Sequence, residues 1–219
     1  LPQFSEGSGF FYQELILKLS LPQGEKGKIH YTLDGSLPDL NSKEYQHPII
    51  LTSSAEVQAK CFQEGAHASP TVTETYCPMQ SAVRRFNSNL PVVLIETQGG
   101  KIKSSEYRSM AIEIFEPDLD GRTRLSSPPT FSGKGGIKLR GSSSLNRPKK
   151  GYRIELRDDM KEENPTSLLG MPRDADWILY GPYNNNKTLL NNVLIYEMSR
   201  RMGHYAPRTR FVEAFVNSE

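Results

Sequence analysis

The first 78 positions are built from short runs in which apolar and polar residues alternate, and this pattern constrains the fold more than any other feature of the chain. Two such runs are Leu15–Ser20 and Ile29–Leu33, and two more are Val57–Cys61 and Thr71–Tyr76. A period of two gives a strand one buried and one solvent-facing side, and no helical period is present here. Asp34-Gly35 supplies a turn between runs. The pattern therefore predicts a small all-β sandwich.

A different pattern begins after a polar segment, MQSAVRRFNSN, at residues 79–89. Strands are predicted at Val92–Ile95, Met110–Phe115, Gly136–Arg140 and Tyr152–Leu156. One helix is predicted from about Thr188 to Met202, with Gly203 as its C-terminal stop. Its apolar residues fall on one face at spacings of three and four: Leu190, Val193, Leu194, Met198 and Met202. We interpret residues 1–78 as one domain, 79–89 as a linker and 90–219 as an α+β domain.

The last apolar run, Phe211–Val216, has almost no polar residue. Strands of this kind are normally covered on both faces. We therefore expect that further structure packs against this strand, and that the chain expressed alone associates with itself through that edge.

The charge and the apolar content of the chain exclude several classes of function. The 27 basic and 25 acidic side chains leave a net charge of +2, which provides no strong field to attract nucleic acid. No apolar run approaches the roughly 20 residues that a membrane span requires. The four histidines and two cysteines offer no ligand pair at metal spacing, so no metal site is expected.

The two cysteines, Cys61 and Cys77, lie in what reads as neighbouring strands of the predicted sandwich. A disulfide between them would fit an oxidising compartment, whereas two buried thiols would be equally ordinary in the cytosol. The residues alone leave both alternatives open.

Several segments of the sandwich resemble the chitobiase/β-hexosaminidase C-terminal domain, an immunoglobulin-like β-sandwich module. The segments that carry the resemblance read IHYTLDGSLP, SKEY, VQAKCFQEG and SPTVTETY. Such modules are usually accessory units of secreted or surface enzymes. The resemblance therefore implies an extracytoplasmic location (secreted, periplasmic or cell surface), favours the Cys61–Cys77 disulfide and implies no catalytic residue in this part.

From Leu90 onward the chain resembles the spore-coat protein H family, the CotH kinases, which are atypical secreted or surface protein kinases. Four segments in the order of the family carry this resemblance: LPVVLIET, GGIKLRGSSSLNRPKKGYRIEL, DWILYGPYNNNKTLLNNVLIYEMSRRMG and APRTRFVEAFVN. They cover the first part of that domain. The resemblance implies ATP and magnesium as cofactors of the complete protein, with the catalytic and magnesium-binding aspartates beyond Glu219. No cofactor is expected to bind this fragment.

Residues 140–150 join glycine, hydroxyls and positive charge at one strand-loop-strand turn. Phosphate oxygens are bound by such donors, and Arg140, Ser142, Lys149 and Lys150 are our candidate nucleotide-phosphate ligands. The two lysines would face opposite sides of the following strand, so only one can point into a cleft. The alternative is a basic hairpin that is simply exposed to solvent. With the resemblance to the CotH kinases, the two interpretations are about equally well supported.

Two further positions bear on nucleotide binding. Trp177 and Tyr180 could stack on an adenine, although a lone tryptophan near a helix start more often belongs to the core. The family commonly has an aspartate and an arginine where this chain has Asn186 and Asn191. Neutral amides weaken phosphate-directed charge, so either a structural ion pair has been replaced or this member is catalytically impaired.

Two functions follow from these patterns. The first is a fragment of an extracytoplasmic CotH-like protein kinase that supplies an accessory module and part of the nucleotide-binding lobe, and that is inactive alone. Its partner would be a protein substrate or a cell-surface component. The second is a non-catalytic surface or carbohydrate-associated protein that serves adhesion or spacing, which the two asparagines favour.

Overall fold

The computed structural model describes residues 1–63, 67–97, 100–183 and 189–217. The first strands along the chain are β1 (Gln3–Phe4), β2 (Gly9–Phe11), β3 (Leu15–Leu17), β4 (Leu19–Ser20), β5 (Lys28–Thr32), β6 (Lys43–Glu44), β7 (Ile49–Leu51), β8 (Ala55–Phe62) and β9 (Val72–Pro78). The later strands are β10 (Asn87–Ser88), β11 (Val92–Glu96), β12 (Arg108–Phe115), β13 (Thr123–Arg124), β14 (Phe131–Arg140), β15 (Gly151–Arg157), β16 (Asp176–Leu179) and β17 (Glu213–Val216). The helices of the described residues are α1 (Ser81–Arg84), α2 (Asn191–Arg201) and a 3-10 turn at Ser143–Asn146.

The N-terminal strands form the predicted sandwich. A five-stranded sheet has the order β2-β9-β8-β5-β6, and the pairs β3-β7 and β1-β4 lie beside it. Leu17 and Leu19 share one core cluster with Val57 and Tyr76, which joins the small pairs to the large sheet. The alternation in β7 has its expected effect, since Ile49 and Leu51 are buried while Ile50 is 62% exposed.

The C-terminal part is organised around a six-stranded sheet in the order β16-β15-β14-β12-β11-β17. All neighbouring strands are antiparallel except β17, which runs parallel to β11. We call the face that carries Val93, Ile112, Ile137 and Ile154 the inner face; these side chains form one core cluster with Ile102 and Leu168. The opposite, outer face carries a smaller cluster. The expected fold class, an all-β sandwich followed by a partial α+β domain, is confirmed.

The segment that we interpreted as a polar linker contains α1 and β10, and β10 pairs with β13. Val83 of this segment is buried against Val92 and Leu94 of the outer face, and Phe86 packs at the edge of the same cluster. Residues 79–89 therefore contribute apolar contacts to the second sheet. The domain boundary there stays a prediction.

The sandwich contacts the outer face of the second sheet directly. The backbone N–H of Phe10 in β2 donates to a carboxylate oxygen of Glu113 in β12 at 3.1 Å. Lys134 in β14 lies 2.8 Å from Glu74 in β9 and also donates to the carbonyl of Thr73. A cation and two carboxylates thus hold β2 and β9 against β12 and β14.

Two expectations for the C-terminal elements are corrected. The helix begins at Asn191 rather than near Thr188, which lies outside the described residues. Its predicted apolar face is exposed, because none of its residues is buried. The last strand begins at Glu213 and lies at the edge of the sheet, where Phe215 and Val216 are half-buried and pack toward opposite faces. It is therefore only partly covered.

The disulfide expectation is also corrected, because Cys61 and Cys77 are both buried thiols. The register of the sheet explains why they are not bonded to each other. Tyr76, beside Cys77, pairs with Ala55, which lies at the other end of β8 from Cys61. At about 3.3 Å per residue the two cysteines lie far beyond the roughly 7 Å between Cα atoms that a disulfide permits.

Candidate phosphate-binding hairpin

The candidate site is the turn between β14 and β15, where Arg140 pairs with Gly151. The connection is compact because the N–H of Leu145 bonds the carbonyl of Ser142, and the N–H of Arg147 bonds that of Ser144. Gly141 has a φ of 129°, and a Cβ at this position would lie 2.0 Å from the Ser144 hydroxyl. Only glycine fits a backbone of this shape without strain.

The two lysines of the turn have different environments. Lys150 is half-buried, and its ammonium donates to the carbonyl of Leu145 at 2.5 Å, so it closes the loop from inside. Lys149 is exposed. Lys149 is therefore the lysine of this pair that a ligand could reach, while the prediction that one lysine points into a cleft stays a prediction.

Three of the predicted phosphate ligands, Arg140, Ser142 and Lys149, are exposed at this one turn. The segment after β16 packs against its base, because a Cβ on Gly181 would lie 2.2 Å from the Lys150 carbonyl and 3.1 Å from Lys149 Cγ. This close approach leaves no room for a side chain at Gly181 beside the base of the hairpin. A guanidinium, a hydroxyl and an ammonium together are suitable donors for phosphate oxygens.

The outer face beside the hairpin carries further cations that the sequence analysis missed. Lys138 and Arg140 lie on the same face of β14, and Arg153 of β15 is the direct partner of Lys138. Lys138 lies 4.2 Å from the ring centroid of Tyr107, and Arg153 pairs with Asp176 at 3.0 Å. The hydrogen bond that Arg153 donates to the carboxylate of Asp176 raises the pKa of Arg153. The period of two along the predicted strands could have identified this row.

The adenine contact that we assigned to Trp177 and Tyr180 stays a prediction. Trp177 pairs with Ile154 and packs against the inner-face cluster, and its indole N–H donates to the carbonyl of Asp174 at 2.9 Å. Tyr180 is 51% exposed beyond the end of β16. Trp177 is thus partly buried at the edge of the inner-face cluster.

The remaining candidate positions lie around the start of α2. Asn186 lies outside the described residues, and Asn191 is the exposed first residue of the helix. In the parts of the chain that the structure describes, no group of three or more His, Cys, Asp or Glu side chains is placed to hold a metal ion. The helices among those residues are also too short or too polar to cross a membrane.

Comparison with known proteins identifies two families. Residues 17–76 match the family described as Fn3 associated, and residues 137–219 match the family described as CotH kinase protein. Neither the curated proteins nor the solved structures gave a match. The second match begins within β14 and includes the whole candidate hairpin, while the first covers most of the sandwich. Residues 137–219 are thus similar to the CotH kinase family, and residues 17–76 of the sandwich are similar to the Fn3-associated family.

Proposed function

We propose that this chain supplies an accessory β-sandwich and part of the nucleotide-binding lobe of a CotH-like protein kinase that acts outside the cytoplasm. The observation that carries the proposal is the hairpin at residues 140–150, which lies within the CotH match. Its loop is closed internally by Lys150, which leaves Arg140, Ser142 and Lys149 exposed at one turn. Three donors on a rigid loop are a suitable cradle for the phosphates of ATP.

The roles of the three side chains follow from their chemistry. The guanidinium of Arg140 can bind two phosphate oxygens at once, and the ammonium of Lys149 can balance charge as a point cation. The hydroxyl of Ser142 adds a neutral donor. Bound ATP would supply the phosphoryl group, while these residues would orient it and compensate its charge. Among the described residues no three His, Cys, Asp or Glu side chains are grouped to hold a metal ion, and we assign no residue to magnesium.

The exposed apolar face of α2 supports the proposal that this chain forms only part of a kinase-like domain. Leu194, Met198 and Met202 are each more than half exposed on one side of this helix. Apolar stripes of this width on helices of soluble proteins normally pack against another element. A second lobe that packed against this stripe would bury it.

The experiment is a calorimetric titration of ATP with Mg²⁺ into the full-length gene product, followed by an assay for transfer of the γ-phosphate. We expect R140Q and K149Q each to weaken ATP binding by about tenfold, since a charge-assisted hydrogen bond contributes about 1.5–3 kcal/mol. The matched control is R201Q, because Arg201 is an exposed arginine of α2 that pairs only with Glu197 among the described residues.

The proposal is wrong if the wild-type protein does not bind ATP, or if R140Q and K149Q bind it as tightly as the wild type. Failure of the wild type to bind nucleotide would favour the second function, a non-catalytic surface or carbohydrate-associated protein. Binding without phosphoryl transfer would identify a nucleotide-binding member that lacks catalysis, and would leave the role of the hairpin intact.

A further inference from the structure

A groove of about 410 Å³ lies where the sandwich, the segment 79–89 and the segment around β13 meet. We call it the junction groove and define it by Tyr12, Arg84, Arg85, Asn87, Arg124 and Ser126. Its volume is within the range of pockets that bind small molecules. Three of these six residues are arginines, and no acidic residue is among the groups that line it in the described part of the chain.

Arg124 is held in place from behind. Its guanidinium contacts Asp120 at 2.5 Å and Asp118 at 3.3 Å, and it is the cross-strand partner of Asn87. The hydrogen bond from Arg124 is the main cause that lowers the pKa of Asp120. These two carboxylates together outweigh the single charge of Arg124, and they fix the position of its side chain at the wall of the groove.

Arg84 and Arg85 supply positive charge that is not compensated. The guanidinium of Arg84 lies 4.0 Å from the centroid of the Tyr12 ring, so it is held by a cation–π contact rather than by a carboxylate. Arg85 is exposed. Neither residue forms a salt bridge with any of the described residues, although the chain as a whole has nearly balanced charge.

We propose that the junction groove binds the phosphate group of a small phosphate monoester. Two uncompensated guanidiniums and a third that is rigidly held can offer several paired N–H donors, and this fork geometry suits phosphate oxygens. The amide of Asn87 and the hydroxyl of Ser126 add neutral donors. Because the lining comes from Tyr12 of the sandwich, from the segment 79–89 and from the β13 region, a bound ligand stabilises the folded arrangement of these three parts.

The experiment uses the 219-residue chain and three sugars that differ in one group: glucose 6-phosphate, glucuronate and glucose. Calorimetry and thermal unfolding are measured for the wild type, R84Q, R85Q and the double variant, with R201Q as the control. We expect saturable binding of glucose 6-phosphate, a rise in Tm on binding, and a loss of at least about tenfold in affinity in the double variant. R201Q should bind like the wild type.

R84Q loses the contact with Tyr12 and could therefore be unstable. In that case R85Q alone tests whether the groove binds phosphate, because Arg85 is exposed and its replacement should not affect folding. The proposal is overturned if glucose 6-phosphate does not bind saturably, or if it binds R85Q and the wild type equally. Equal binding of glucuronate would overturn the assignment to phosphate. ATP binding at the hairpin is unaffected by R85Q, so this test and the test of the proposed function can fail independently.

Discussion

Among single residues, Gly141 gives the clearest prediction, because its φ of 129° and its neighbour Ser144 both exclude a side chain. We expect G141A to lower the free energy of unfolding by about 1–3 kcal/mol, since a residue forced into such a conformation costs that amount. Urea denaturation measures the loss. Adding S144A should recover only the part that comes from the close contact, and the part that comes from φ should remain.

Gly151, on the opposite strand of the same hairpin, is the matched control. A Cβ there would lie 3.4 Å from the Arg140 carbonyl and 3.6 Å from that of Leu179, which are ordinary contacts. G151A should therefore change stability much less than G141A. Equal losses in the two variants would mean that the hairpin rejects any side chain, and that the conformation of Gly141 is not the cause.

Glu113 is the residue that most directly couples stability to pH. Burial raises the pKa of this carboxyl from 4.5 to about 7, against the opposing hydrogen bond from the N–H of Phe10. The folded state therefore binds this proton more tightly than the unfolded state. The resulting stabilisation is complete below about pH 4.5 and is lost as the pH rises through about 7.

The variant E113Q keeps the shape of this side chain and removes its titration. We expect the stability of E113Q relative to the wild type to rise by up to about 3 kcal/mol between pH 5 and pH 8, because each pKa unit corresponds to 1.36 kcal/mol. Urea denaturation at several pH values provides the comparison. If the wild type and E113Q have parallel profiles, the carboxyl of Glu113 does not titrate in this range.

At the scale of elements, α2 is a helix with no buried residue. Leu194, Ile195 and Met198 are 55–58% exposed, while Glu197 pairs with arginines of the same helix. We expect L194Q/M198Q to reduce binding of a hydrophobic dye and self-association of the chain, and to change the free energy of unfolding by less than about 1 kcal/mol. Dye fluorescence and sedimentation velocity measure the two properties.

The control for α2 is I50Q, because Ile50 is 62% exposed on β7 in the sandwich and is flanked by buried residues. This variant should leave self-association unchanged. If L194Q/M198Q associates as strongly as the wild type, the contact lies elsewhere, and the exposed edge strand β17 becomes the next candidate.

At the scale of the whole molecule, we expect the buried ion pair between Lys134 and Glu74 to be the main contact that couples the sandwich to the second sheet. Their side chains are only 15% and 9% exposed, and Glu74 also accepts hydrogen bonds from the backbone and hydroxyl of Ser8. Removing the cation leaves a carboxylate buried without its partner. We expect K134M to lower the free energy of unfolding by about 3 kcal/mol, and the double variant E74Q/K134M to lose less.

Trp177 makes the cooperativity of the two sheets measurable, because it is the only tryptophan and reports on the second sheet alone. In the wild type we expect its fluorescence and the far-UV circular dichroism to follow one transition in urea. In K134M the transitions should separate. K103M, which removes an exposed pair with Glu106, should leave them together. Separate transitions in the wild type would show that the contact does not couple the two parts.

Much of the fold was predictable because strands show a local pattern in which apolar and polar residues alternate. The alternation around Leu17, Ile29 and Val57 identified strands of the sandwich, since a period of two directly encodes which face is buried. The turn at Arg140–Gly151 was found from its glycine, hydroxyls and cations. The Cys61–Cys77 disulfide was wrongly predicted because a local pattern does not reveal the register between two strands. The register of β8 and β9 places Cys77 near Ala55, at the other end of β8 from Cys61.

The sequence by itself determined where strands form, where the chain turns and which residue types meet at the hairpin, because these depend on neighbours a few positions away. Tertiary structure alone decided that Lys150 closes the loop while Lys149 remains exposed, that Trp177 packs against the inner-face cluster, and that three arginines meet at the junction groove. Such contacts join residues that are distant along the chain. They depend on how the sheets pack together, and the alternation of residues along a single strand does not encode that packing.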